Sequence, residues 1–442
     1  MRMAVGRARW LRPLETRRVP VTRAALVLGG GLAGMTAALS LADQSFEVHL
    51  VEKQAELGGN LRSIHYTLER ADIREFTADL VSRVAAHPRI TTCVNSQLVE
   101  LAGHVGNFKS EIEGPGGART VRHGVTIIAT GGVERPTEEH LHGRHERVLT
   151  QRELEAQLAS GGLPADLGEC PTVVMIQCVG SRTEENPYCS RVCCSEAVKN
   201  AIALKAQRPQ ARVIVLAKDI RTYGFREAYF QQARQAGVIF VRHPHTRDPQ
   251  VSDDAGKLTV RVTDGGTGRE LTLRPDLLVL STGIAPARDN PVLSGMFRTA
   301  LTADGFFLEA HPKLRPVDLA NEGEFICGLS HSPRFIDETI AQASAAAARA
   351  ATILSKTYLT IPGQIAKVNT AVCVACATCV KVCPYGAPMI NDIGKAEVQG
   401  AKCMGCGSCT VACPARAVTL GHQEDPQFEA MIGELLAHGE VK

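Results

Sequence analysis

No run of eighteen consecutive apolar residues occurs in the 442-residue chain, so no membrane-spanning helix is expected. Charge of one sign is not in excess either. The formal net charge is +3, which argues against nucleic acid or an acidic membrane surface as a partner. The fourteen histidines form no metal-spaced pair; His243 and His245 flank Pro244 in an expected loop and read as solvated or packing side chains. The fifteen cysteines lack the arrangement of a disulfide scaffold. Eight lie in two C-x2-C-x2-C-x3-C-P runs and four between Cys178 and Cys194, leaving over Cys93, Cys170 and Cys327. That pattern needs free thiolates in a reducing compartment, so a cytoplasmic location is expected. Apolar residues at 44% and charged residues at 21% describe an ordinary globular chain, long enough for two or three domains. One local exception is the first 23 residues, with seven arginines against Glu15 alone. Without an apolar core that arm is neither signal peptide nor membrane span, and it is expected to be a disordered or partner-contacting leader.

From Ala25 an apolar strand runs into Gly29-x-Gly31-x-x-Gly34, then a helix, then a second strand ending at Glu52. The first glycine permits the tight bend, the second lets backbone approach a pyrophosphate, and the third lets helix pack on strand. Glu52 lies eighteen residues beyond Gly34, where a carboxylate can hold ribose hydroxyls. The following E-x5-G-G, with Gly58 and Gly59, resembles the two-dinucleotide-binding flavoproteins related to glutathione and thioredoxin reductases. The resemblance implies FAD. It extends to Val125–Ala129 with Thr130-Gly131-Gly132, to Leu277–Ser281 with Thr282-Gly283-Ile284-Ala285-Pro286, and to Glu324–Gly328. It implies that Gly29, Gly31, Gly34, Glu52, Lys53, Gly58, Gly59, Asn60, Ala129, Thr130, Gly131 and Gly328 line the flavin site. Where the family places Asp after the last glycine, this chain has Leu329, so backbone groups of Gly328 are expected to serve instead. An Ala-rich helix near Asp337–Ser355 would aim its N-terminus at the flavin ring.

The stretch Cys178-x10-Cys189-x3-Cys193-Cys194 follows an expected strand, Thr172–Ile176, and opens an expected helix, Cys193–Gln207. Thiolates at such a turn are expected to have lowered pKa values from the helix dipole. Buried structural cysteines, a redox disulfide at Cys193–Cys194, zinc, and a four-thiolate iron–sulfur cluster all fit this spacing, the cluster best. The stretch also stands where a second Rossmann lobe would carry its nicotinamide fingerprint. There Gln177-Cys178-Val179-Gly180-Ser181-Arg182 keeps one glycine, so a lost nicotinamide site is expected.

After Ile361-Pro362-Gly363, Cys373, Cys376, Cys379 and Cys383-Pro384 are repeated thirty residues on as Cys403, Cys406, Cys409 and Cys413-Pro414. In this ferredoxin signature three close cysteines wrap one cube and the fourth reaches the other. The expected sets are Cys373, Cys376, Cys379 with Cys413, and Cys403, Cys406, Cys409 with Cys383. Zinc ribbons use pairs rather than triplets ending in Cys-Pro.

QCVGSR…NPYCSRVCC, KDIRTYGFREAYFQQAR and HPKLRPVD, with GGNLR at Asn60 and GHVGNFK at Gly106, together resemble the A subunit of heterodisulfide reductases, from about Ala25 to Leu420. The resemblance implies a [4Fe–4S] cluster on Cys178, Cys189, Cys193 and Cys194 near the FAD. It implies B- and C-type partner subunits, ferredoxin, or a hydrogenase or dehydrogenase subunit, with a homodimer as a further option. Archaeal members add an N-terminal domain and an inserted ferredoxin module, so the match is to the short bacterial form. The expected fold is α/β, a two-dinucleotide-binding-domain flavoprotein with a C-terminal α+β ferredoxin domain carrying two clusters. Its expected divisions are a basic arm (1–24), a first flavin-domain segment (25–153), a second lobe (154–284), a returning flavin-domain segment (285–356), a linker (357–366), a ferredoxin domain (367–421) and a tail (422–442). FAD with three cubanes implies an oxidoreductase coupling paired to single electrons. The rivals are a self-contained NAD(P)H reductase and a non-catalytic wiring subunit.

Overall fold

A computed structural model describes residues 1–437; the last five residues of the expected tail, 438–442, lie outside the described residues. The arm forms α1 (Arg2–Ala8) and β1 (Arg17–Pro20) before the chain enters a parallel sheet at β2 (Ala24–Leu28). All of β2 is buried, as an unalternating apolar strand covered on both faces requires. There follow α2 (Leu32–Ala42), β3 (Glu47–Val51), α3 (Ile73–Ala86) and β4 (Ile90–Cys93). Helix α3 is capped by the Asp72 carboxylate, which accepts from Arg74 N at 2.7 Å. An antiparallel meander, β5 (Gln97–His104), β6 (Asn107–Gly114) and β7 (Gly117–His123), leads back to the sheet at β8 (Val125–Ile128), and β9 (Gly132–Glu134) leaves it.

The second lobe repeats this plan. It comprises β10 (Val148–Thr150), α4 (Gln151–Ser160), β11 (Thr172–Val179), α5 (Cys193–Gln207), β12 (Arg212–Ala217), α6 (Glu227–Gln235) and β13 (Ile239–Arg242). A second meander, β14 (Gln250–Asp254), β15 (Lys257–Thr263) and β16 (Glu270–Leu273), precedes β17 (Leu277–Thr282). The chain recrosses through β18 (Ile284–Pro286), paired with β9, to α7 (Asn290–Phe297), β19 (Glu324–Ile326) and α8 (Ile336–Leu354). The two sheets run β4-β3-β2-β8-β19 and β13-β12-β11-β17-β10, parallel throughout. The second sheet thus starts at Val148 rather than residue 154, because β10 is its edge strand. Helix α8 lies across α2, and its Ala343, Ala346, Ala347 and Ala350 are fully buried; small side chains let the two helices close on the flavin sheet.

The ferredoxin module is built of β21 (Ala366–Val368), α9 (Thr378–Val382), β22 (Pro388–Ile390), β23 (Ala396–Val398), α10 (Ser408–Ala412) and β24 (Val418–Leu420), and α11 (Asp425–Leu436) follows. The expectation of a disordered arm fails: α1 packs on α11, and β1 pairs antiparallel with β20 (Tyr358–Ile361). The expected linker is therefore half strand. Backbone pairing satisfies its polar groups, which no local sequence pattern announces.

Candidate functional site

In open parallel sheets, ligands bind where the strand order reverses, outside the carboxyl ends of the strands. In the first lobe that point lies between β2 and β8. Gly29 (φ 108) turns the chain there, and a Cβ on Gly34 would collide with the Gly29 carbonyl. Gly31 caps α2 with an extended backbone, and a Cβ there would meet only Gly59 Cα, at 4.0 Å. Neither packing nor backbone strain requires that glycine, so the room beside it suits a pyrophosphate approaching the first amides of α2. Gly58 (φ 114) and Gly59 (φ 51) face it through Gly58 N donating to Gly30 O at 2.8 Å. The buried Glu52 carboxylate accepts from Gly30 N at 2.6 Å and Gln54 N at 2.7 Å. Ala129 and Thr130 follow β8 beside this turn, and Gly131 (φ 75) has open space at its Cβ position. Thr130 Oγ1 donates to Asn290 at 3.3 Å, and Lys53 pairs with Asp289 at 3.1 Å near the surface. Asn60 donates to Gly132 O at 2.8 Å and accepts from Arg152 of α4 at 3.2 Å, tying the lobes together. Gly328 (φ 73) packs so closely on Ala33 that a Cβ would come within 2.7 Å. Its amide donates to Gln342 Oε1 at 2.8 Å.

The matching point of the second lobe, between β11 and β17, is filled by the chain itself. β11 bulges after Ile176, Cys178 takes φ 64, and residues 180–192 separate strand from helix. A Cβ on Gly180 would stand 2.8 Å from Arg135 Cδ, and Arg135 donates to Asn186 at 3.0 Å and to Tyr188 at 2.8 Å. Asp219, beyond β12 where a ribose-binding acid would stand, is taken by Arg182 at 2.6 and 3.1 Å and by Arg221 at 3.1 Å. The loop gathers its cysteines: Cys193 Sγ lies 3.5 Å from Thr282 O, Cys194 Sγ lies 4.0 Å from Asp219 O, and Arg191 N donates to Cys189 Sγ at 3.3 Å. Cys193 and Cys194 are buried, Cys178 and Cys189 are half-buried, and the four lie near enough that they would repel one another as thiolates. Burial pushes Cys194 up to about 12 and Cys193 well above its ordinary value. The lowering expected from the helix dipole is overcome by desolvation. Ser181, Ser195 and Gln177 around the loop each keep a buried polar atom without a protein partner among the described residues. The Ser181 and Ser195 hydroxyls are donors that suit the sulfur acceptors of a bound cluster, whereas the free atom of Gln177 is its acceptor oxygen Oε1.

The same loop reaches the flavin half. Arg191 pairs with Glu338 in the first turn of α8 at 2.6 Å and bonds Tyr223. Arg226 pairs with Asp337 at 2.8 Å and lies 3.7 Å over the Phe335 ring. Tyr223, through Arg191, and Arg221, through Asp219 and Arg182, thus brace the cysteine loop. The sequence missed Arg135, which lies between glycine motif and loop and carries no local signature.

In the ferredoxin module each expected set of cysteines lines one cavity. Cys403, Cys406, Cys409 and Cys383 line one small pocket, and Cys373, Cys376, Cys379 and Cys413 line another. The two halves repeat their strain. Ala375 and Ala377 (φ 58 and 57) match Gly405 and Gly407 (φ 66 and 80), wrapping each cysteine run around its cavity. Hydrogen bonds from Thr378 and Ser408 lower Cys376 and Cys406, favouring thiolate. Among the described residues no three His, Cys, Asp or Glu side chains converge on a single-ion position. Around each pocket stand three cysteines of one run and one of the other, the crossed arrangement of a two-cubane ferredoxin rather than of a zinc ribbon.

Residues 27–95 match the NAD(P)-binding Rossmann-like domain family and residues 365–416 the 4Fe-4S dicluster domain family. The chain is 34% identical to the A subunit of the H(2):CoB-CoM heterodisulfide,ferredoxin reductase of Methanothermobacter marburgensis, over 90% of this chain and 74% of that one. It is 33% identical to an iron-sulfur A subunit of the CoB--CoM heterodisulfide reductase of Methanopyrus kandleri, over 88% and 73% respectively. Among solved structures, thioredoxin reductases of Lactococcus lactis and T. acidophilum superpose with TM-scores of 0.53 and 0.51 at 16% and 17% identity. These cover 76% and 75% of this chain and 99% and 98% of theirs, and establish the flavoprotein fold.

Proposed function

Because the chain belongs to the family of heterodisulfide reductase A subunits, we propose that it is the FAD subunit of a redox complex and holds three [4Fe–4S] clusters. That it is an FAD- and iron–sulfur-dependent oxidoreductase follows from the family and the two domain matches. FAD when bound exchanges electrons in pairs or singly, and cubanes relay them one at a time. In this reading Gly29, Gly31, Gly34, Gly58 and Gly59 give backbone access to the pyrophosphate, and Glu52 orients the turn. Cys178, Cys189, Cys193 and Cys194 hold the cluster nearest the flavin, and the two crossed cysteine sets hold the others. Arg191 keeps the loop cluster fixed to the N-terminal end of α8. Cluster-bearing partner subunits of the B or C type, or a free ferredoxin, exchange electrons with the ferredoxin module.

The observation that carries this reading is the cysteine loop standing where a second nucleotide would lie, with Arg135 and Asp219 committed to it. It also disfavours the self-contained NAD(P)H reductase, since Asp219 is already engaged by Arg182 and Arg221 and Arg135 packs on Gly180. Protein purified without oxygen is expected to contain one FAD and about twelve irons per chain, four per cubane. Iron near eight, unchanged by Cys189→Ser, would remove the third cluster and restore the redox-disulfide reading.

A further inference from the structure

A cavity of about 160 Å³ lies at the seam between the flavin lobe and the ferredoxin module. That is room for several water molecules, but well under the roughly 300 Å³ at which pockets for drug-sized ligands begin. The flavin lobe lines it with His104 of β5, Arg298 at the end of α7, and Glu322 and Glu324 where β19 opens. The ferredoxin module lines it with Tyr385, Lys402 and Met404. Arg298 takes a left-handed backbone (φ 50), and its guanidinium packs so closely on Gly386 of the module that a Cβ there would stand 2.7 Å from Cζ. Arg298 and Lys402 lie near enough to repel one another, and neither enters an ion pair among the described residues.

Two cations held together with no carboxylate between them suit an anion with several acceptor oxygens. Glu324 does not supply the missing negative charge at neutral pH. It is buried, its one hydrogen bond among the described residues is a long one from Asn321 at 3.4 Å, and burial raises its carboxyl to about 8. Below that pH it stands on the wall as an uncharged donor. Glu322 is exposed, where solvent screens its charge. His104 and Tyr385 are the other titratable groups on the walls; His104 Nδ1 lies 2.9 Å from Val105 O, and the Tyr385 hydroxyl has no partner among the described residues. We propose that this cavity binds a small dianion, of the size of phosphate or a short dicarboxylate, between Arg298 of the flavin lobe and Lys402 of the ferredoxin module. Tyr385 and Met404 also line the pocket of Cys383, Cys403, Cys406 and Cys409. A dianion bound there sets negative charge beside that pocket and lowers the reduction potential of its cluster, a consequence that rests on a cubane being held there.

The test is calorimetric titration of sodium phosphate and, separately, sodium malonate into the full chain loaded with FAD and clusters, at an ionic strength fixed with sodium chloride. Bound FAD keeps the cradle at Gly31 filled and therefore silent. One ion per chain is expected to bind, and the tighter of the two arms identifies its source. Arg298→Gln and Lys402→Gln are each expected to weaken binding about tenfold, the loss of one charge-assisted contact. Glu324→Gln keeps an uncharged donor and is expected to bind within about twofold of the unaltered chain. Redox titration of the ferredoxin clusters is expected to show the potential falling as the site fills, and not in Arg298→Gln. Flavin and iron content serve as the fold control in each variant. Heats no larger than those of chloride for both ions, or binding indifferent to Arg298→Gln, would overturn the proposal. So would a gain of about tenfold in Glu324→Gln, since a charged carboxylate would then already neutralise the cations. Binding with no fall in potential, at about twelve irons per chain, would overturn the link to the cluster; iron near eight would instead point to a missing cubane.

Discussion

The two Rossmann lobes have sheets of like order, each with a meander before its fourth central strand, yet they end their first strands differently. In the first, three residues, Gly29–Gly31, carry β2 into α2, and the space beside Gly31 is free of side chains. In the second, residues 180–192 intervene before α5, and Arg135 packs so closely on Gly180 that a Cβ there would stand 2.8 Å from its Cδ. The scaffold positions a helix N-terminus at the switch point in both cases. The length and residues of one turn decide whether it meets a phosphate or a group of thiols. Ligand class thus resides in the turn and not in the sheet.

The comparison breaks most sharply at Gly31. Gly31→Val is expected to weaken FAD retention by at least about 100-fold, since a branched side chain fills the open cradle. Both ferredoxin clusters should remain, so flavin and iron assays on the purified variant separate local from global loss. Stoichiometric FAD in that variant would show that the cradle has been misassigned.

The next largest effect is expected at the second turn. Cys193→Ser should lower iron from about twelve to about eight per chain while leaving FAD bound, four irons being one cubane. Full iron content in the variant would mean that this turn holds no cluster.

Arg191→Ala tests whether the turns are coupled. Its partly buried bonds to Glu338 and Pro333 O should be worth about 1–3 kcal/mol, read as a lowered denaturation midpoint. An unchanged midpoint would make the bridge incidental.

A smaller difference lies at the edge strands, where Glu324 opens β19 and Val148 opens β10. Burial raises the Glu324 carboxyl to about 8 from an ordinary 4.5. Between those values the folded chain keeps a proton that the unfolded chain has released. Stability should therefore be full below the lower value and fall as pH rises to the upper. Glu324→Gln should flatten that slope, measured as denaturation midpoints at both ends of the window. A wild-type slope persisting in the variant would place its origin elsewhere.

The smallest effect is an expected null. Arg135→Gly should not let NADH reduce the flavin, because the loop and the engaged Asp219 remain. Bleaching by stoichiometric NADH without oxygen would restore the self-contained reductase reading.

Much of this was legible in the residues. The helix from Cys193 to Gln207 is found as the sequence predicts, because an uninterrupted run of helix formers begins at the paired cysteines and ends before Pro209. The crossed ferredoxin sets were legible too, since each Cys-Pro redirects one cysteine toward the other half. What could not be read depends on contacts distant in sequence. Arg135 under Gly180, β10 as an edge strand and β1 on β20 each join segments with no shared local pattern. The acidity of Cys193 and Cys194 was misjudged for a similar reason: the dipole is local, but the burial that outweighs it comes from the surrounding lobe.

The pairing of β1 with β20 also constrains how the clusters can deliver electrons. Residues 357–366 would reach far if they were a loose tether, and the ferredoxin module could then swing between sites as a shuttle. Zipped in register from Arg17–Ile361 to Pro20–Tyr358, with Gly363 and Gly421 both abutting Leu14, the segment has no slack. The module is a fixed terminal, and whatever exchanges electrons with it must travel to it.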